Sequence, residues 1–179
     1  MWLTEVKVRV KRKNAILFTK DCSLLAPLLS LVESANRRVL ILWALDLAEE
    51  IALQLEASYP TDPRPRQALE AARAWATGAI KMPLARCAIL DCHAMAKEID
   101  SPADAARCHA VAQACSVVHT SGHALGLPIY ELTALVMEHG LENCRVAVES
   151  RASHYVNLLR YWLEQEPQTE LPWAGFLKK

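Results

Sequence analysis

Val39-Leu40-Ile41-Leu42-Trp43-Ala44-Leu45-Asp46-Leu47-Ala48 decides the fold, because every residue in it except Asp46 is apolar. The run is about half the ~20 residues needed to cross a bilayer, and a carboxylate interrupts it. Asn36 stands before it as a helix N-cap, and Ser58-Tyr59-Pro60 stops it. The stretch therefore predicts a helix from Arg37 to about Ala57 that is apolar nearly all round. Such a helix belongs at the centre of a helical bundle.

The same punctuation recurs on both sides. Upstream, Asp21 starts a helix reaching about Glu33. Downstream, Asp62 caps a third helix with Pro63 in its first position, Ala68, Leu69, Ala72, Trp75 and Ala76 on its apolar face, and Gly78 at its end. A fourth runs from about Pro83 to Ile99. Ser101-Pro102-Ala103-Asp104 resembles a capping box that opens a fifth helix extending to about Ala124. A sixth covers about Pro128 to His139 with Gly140 as C-cap, and a seventh about Glu142 to Gln165. Residues 21–166 are thus expected to form one all-α bundle of about seven helices, with 167–179 an extended tail. Residues 1–20 are an arm. Val6, Val8 and Val10 alternate with charged residues and Ala15-Ile16-Leu17-Phe18 follows, a period of two that allows either a short β-hairpin or an irregular arm.

Composition narrows the function classes. The chain has 179 residues, 53% of them hydrophobic, which suits one domain with a substantial core. Lys plus Arg and Asp plus Glu number 20 each, so net charge gives no reason to expect a nucleic-acid or membrane partner. The basic cluster Lys7, Arg9, Lys11, Arg12 and Lys13 reads as a solvated edge. The N-terminal residues lack the pattern of a signal peptide, and a cytoplasmic protein is the expectation. Six cysteines sit mostly in Ala-rich helical patterns without C-x-x-C pairs, so they read as small free hydrophobes, not as disulfides or a zinc knuckle. No glycine-rich phosphate loop is present, and sequence-adjacent Cys92-His93 and Cys108-His109 point about 100° apart on a helix, which does not make a catalytic pair.

Two polar features stand out in the apolar pattern. Asp46 needs a partner in its setting, and Arg64, Arg66 and Arg73 are the candidates for an Asp–Arg tie between the second and third helices. Glu70 lies one turn before Arg73. His119 and His123, four residues apart, share a face if the fifth helix is continuous there, with Cys115 one turn earlier. If the fourth helix is their neighbour, His93 faces them, and the three imidazoles with Asp46 surround one polar pocket. Two readings compete. In one, the histidines form an internal hydrogen-bonded network that needs no ligand. In the other, His93, His119 and His123 hold a metal or, with Arg66 or Arg73, an anion, in a hydrolytic or purely binding role. No cofactor is required by the first reading.

Several blocks taken in order carry a resemblance: Leu42-Trp43-Ala44-Leu45-Asp46-Leu47-Ala48-Glu49, then Asp62-Pro63-Arg64-Pro65-Arg66, then Glu70-Ala71-Ala72-Arg73-Ala74-Trp75. Ala85-Arg86, His93-Ala94, and His119 with His123-Ala124, Gly126 and Tyr130 follow. This order resembles the immunity-five-like proteins assigned to bacterial polymorphic toxin systems, over roughly residues 38 to 130. The resemblance implies an all-helical, non-enzymatic protein that neutralises a cognate toxin by binding it. Exposed aromatic side chains serve such a role, and Tyr155, Tyr161, Trp162 and Trp173 are the candidates outside the matched blocks. The alternative is the metal- or anion-binding bundle.

Overall fold

The computed structural model describes residues 1–178. Its centre is α3 (Arg37–Ser58), the element expected there. The Asn36 side chain caps it by accepting from the Val39 amide at 3.0 Å. Eleven of its side chains are buried, among them Trp43, Leu47 and Ile51. Around α3 pack α4 (Arg64–Ala76), α6 (Pro102–Ser116) and α8 (Arg145–Gln165). Next to these lie α5 (Met82–Met95), against α4 and α6, and α7 (Gly126–His139), against α6 and α8. The short α2 (Ala26–Ser34) lies on α8. Alanine permits close approach in the interior of α6, where Ala106, Ala110, Ala112 and Ala114 are all buried.

The N-terminal residues are a helix, α1 (Trp2–Lys11), and the hairpin expectation is overturned: no strand occurs among the described residues, and the helices number eight. Val6 and Val10 belong to a period of two and to a period of four alike. Trp2, one turn before Val6, breaks the tie. A helix buries Trp2 and Val6 together, leaves Val8 exposed, and lets the Trp2 indole donate to Glu149 of α8 at 3.0 Å. Lys13, at φ 56°, turns the chain, so that Leu17 and Phe18 return to the core and Phe18 stacks on Trp2.

Side-chain chemistry sets the other boundaries. Ser101 accepts from the Asp104 amide at 3.2 Å and caps α6 as expected, whereas α4 starts one residue later than expected, with Pro63 as its N-cap, and Asp62 accepts from the Arg64 amide at 3.1 Å just before it. Gly140, at φ 73°, closes α7 in a conformation that other residues adopt at a cost. The segment beyond α8 makes two 3₁₀ turns, Glu166–Gln168 and Gly175–Leu177. It returns to α4 through the Ala174 amide, which donates to the Ala76 carbonyl at 2.8 Å, and buries Trp173 and Leu177.

A charged cluster joins α3, α7 and α8. Glu131 is buried, accepts from the Tyr155 hydroxyl at 2.7 Å, and lies 2.9 Å from Arg151. Arg151 also bonds Glu50, which His154 approaches at 3.0 Å. Burial pushes the Glu131 carboxyl up, against the attraction of Arg151.

Candidate functional site

The expected fifth helix does not reach Ala124. It ends at Ser116, where the Ser116 hydroxyl turns back to the Ala112 carbonyl at 2.9 Å. Val117 and Val118 follow as β-branched residues, both buried. Then Thr120 caps a 3₁₀ turn, Ser121–His123, by accepting from the Gly122 amide at 3.4 Å. Ser and Thr here offer the backbone a local alternative to the helix. The guanidinium of Arg37, on α3, donates to the freed carbonyls of Val118 and His119 and lies over the Phe176 ring at 5.4 Å. His119 and His123 therefore do not share a helical face, and the i, i+4 argument for them fails.

The break nonetheless builds a concavity. A cavity of about 450 Å³ lies between α4, α5, the end of α6 and the 117–123 loop. His93, His119 and His123 all line it, so the structure does bring these three together. Trp75, Ile89 and Leu90 supply apolar wall, and Arg86, Gln113 and Ser116 supply polar groups. Along α5, residues 82, 86, 89, 90 and 93 recur at helical spacing and share one face, which is why one helix contributes so much of the wall.

The histidines are held by neutral partners. His93 Nδ1 lies 2.7 Å from His109 Nδ1, one ring donating to the other, and the His109 ring packs on Tyr130 at 5.1 Å. His123 Nδ1 lies 2.9 Å from Gln113 Oε1, so His123 carries its proton on Nδ1 and donates. His119 stacks on Trp75 at 6.1 Å. Burial and the neighbouring His109 push His93 down to about 4, and burial also lowers His109 and His123. Burial thus disfavours the imidazolium form at His93, His109 and His123. Among the described residues, no group of three His, Cys, Asp or Glu side chains is placed to hold a metal ion, which removes the geometric support for the His93, His119 and His123 ligand set.

Asp46 is not in this cavity, and its expected arginine is elsewhere. The indole of Trp162 donates to Asp46 Oδ2 at 2.7 Å, tying α3 to α8 instead of α4. Arg64 bridges Asp62 and Glu98, Arg66 bridges Glu49 and Glu56, and Arg73 pairs with Glu49 at 2.9 Å. Glu49, one turn along from Asp46, thus took Arg66 and Arg73. Glu70 is exposed on α4 and makes no ion pair among the described residues. Of the aromatic candidates, Tyr155 and Trp173 are buried and Trp162 is engaged with Asp46, so Tyr161 alone of the four is exposed.

Arg86, Gln113, Trp75 and His109 were not singled out for this site. Arg86 and Trp75 stood inside the motif blocks, and the spacing of 82, 86, 89 and 93 on one apolar helix was the legible signal. The His93–His109 contact joins two helices, and nothing local announced it.

Five cysteines are buried and Cys87 is exposed; all six are free. The Cys92 thiol donates to the Cys108 carbonyl at 3.4 Å, and burial pushes the Cys108 and Cys115 thiols up to about 12, far from a reactive thiolate. Among the described residues, no helix is long and apolar enough to cross a membrane.

No curated protein and no solved structure matches the chain. A family model does match, the Imm-5 like putative immunity protein, over residues 30–158, which include α3 to α7, most of α8 and the entire histidine-lined cavity. With well over half of its length inside that match, the chain belongs to the Imm-5 like putative immunity protein family.

Proposed function

We propose that the protein protects a bacterial cytoplasm by binding a cognate toxin and blocking it stoichiometrically. Membership of the immunity family carries this reading. The polar chemistry is compatible with it: the arginines of α4 and the half-buried Arg151 are consumed by internal carboxylates, and the five buried thiols are held protonated or packed as hydrophobes. A net charge of zero implies an association rate that changes little with salt.

The test is co-expression with candidate toxins from the genes neighbouring this one, followed by purification. Rescue of growth together with a stoichiometric complex in size-exclusion chromatography and calorimetry is the expected result. Rescue without any complex would replace binding with catalysis on the toxin or its product. A lethal outcome in the presence of excess folded chain would remove the toxin reading altogether.

A further inference from the structure

We propose that the cavity lined by Trp75, Arg86, Leu90, His93, Gln113 and His123 binds a small organic anion with an apolar body. The acid lies at Arg86, and the body lies against Trp75, Ile89 and Leu90. Three observations converge on this chemistry. The volume, about 450 Å³, falls in the range of sites that enclose a small molecule, ~300–1,000 Å³. The wall is mainly apolar, and Met82 and Leu90 remain exposed at it, unlike the side chains sealed in the core. None of the lining residues is acidic, whereas Arg86 forms no ion pair among the described residues and three histidines face the same space.

A guanidinium without a carboxylate presents a planar fork of donors matched to one. The Gln113 carbonyl is occupied by His123, which leaves the Gln113 amide donors for a ligand oxygen. The Nδ1 atoms of His93 and His123 are likewise engaged, so each ring has only Nε2 to offer.

An anion here also changes the protonation of its surroundings. From α5 the charged or titratable groups are Arg86 and His93; from α6, His109; from the loop, His119 and His123. Tyr130 of α7 packs on His109, and Lys97, just beyond α5, disfavours its protonation. No carboxylate balances these groups within the cavity, so a bound anion favours the imidazolium forms and is bound more tightly as pH falls below about 6.5. The inference is independent of toxin binding, since it concerns free chain and a small ligand.

Calorimetry with 2-naphthoate and its uncharged analogue 2-naphthamide tests it on the full chain. The expected result is one naphthoate per chain, with naphthamide and the Arg86→Gln variant each weakening binding at least tenfold, a loss of about 1.4 kcal/mol or more. Proton uptake on binding at pH 6.5 should appear as a heat that depends on the buffer's ionisation enthalpy. Leu90→Trp, at an exposed position on the wall, should fill the space and abolish binding while circular dichroism and melting temperature stay unchanged. Equal affinity for naphthoate and naphthamide, an Arg86→Gln variant that binds like the parent, or no binding at millimolar naphthoate would each overturn the proposal.

Discussion

Asp46 illustrates how a single residue finds its partner. It is half-buried, and burial raises its carboxyl above the ordinary range even though the Trp162 indole and the more distant Arg73 both favour the ionised form. Glu49, three residues on, lies nearer the α4 arginines and takes both Arg66 and Arg73. Asp46→Ala removes an acceptor from a part-buried indole. Chemical denaturation should register a loss of about 2 kcal/mol, the scale of a hydrogen bond to a charged group. Asp46→Asn keeps an acceptor for Trp162 and removes the buried charge, so its stability at pH 7 should equal or exceed the parent's. An Asn variant as damaged as the Ala variant would show that the charge itself, through Arg73, is what matters.

At the scale of elements, the boundaries with a local chemical cause were legible and those with a tertiary cause were not. Asn36, Ser101 and Gly140 each satisfy backbone groups of their own helix end, and all three act as the sequence suggested. The end of α6 depends instead on Arg37, some eighty residues away, whose guanidinium donates to the Val118 and His119 carbonyls. Gly126, the first residue of α7, has a similarly distant reason. A Cβ there would lie 2.8 Å from the Gln113 Cβ and 2.9 Å from its Cδ, contacts that a rotation of the amide end does not relieve. Gly126→Ala gains helix propensity of up to about 1 kcal/mol yet overpacks this junction by about 1–3 kcal/mol. A net loss of stability is expected, with disturbance of the His123 ring resonances because Gln113 must move. Adding Gln113→Gly removes the clashing Cβ, so a double-mutant cycle should show favourable coupling between the two substitutions. If Gly126→Ala alone is as stable as the parent, the close approach of α6 to α7 is not a constraint.

Across the whole molecule, the neutral histidines couple folding to pH. His93 titrates near 4 when folded, against 6.5 for an unperturbed imidazole, and His109 and His123 are lowered as well. A base whose folded pKa is depressed takes up protons on unfolding, so the folded state is fully favoured above about pH 6.5 and loses stability as the pH falls toward 4. Glu49, Glu50, Glu56 and Asp62 are held low by their arginines and act in the same direction, but their loss begins only near and below their ordinary values of 4.5 and 3.8. The raised Asp46 and Glu131 act in the opposite direction. The loss of stability between pH 6.5 and about 5 therefore comes from the histidines. One proton taken up on unfolding gives a slope of about 1.4 kcal/mol per pH unit. His93 and His109 share one hydrogen bond and remain partly exposed, so their combined slope should approach one proton and not two. Urea unfolding at pH 7, 6 and 5 measures this directly. Replacing both members of the pair, His93→Leu with His109→Leu, leaves no orphaned ring nitrogen and should flatten most of the slope. A double variant whose slope equals the parent's would mean that these rings are already charged in the folded state, and the neutral histidine pair would then be wrong.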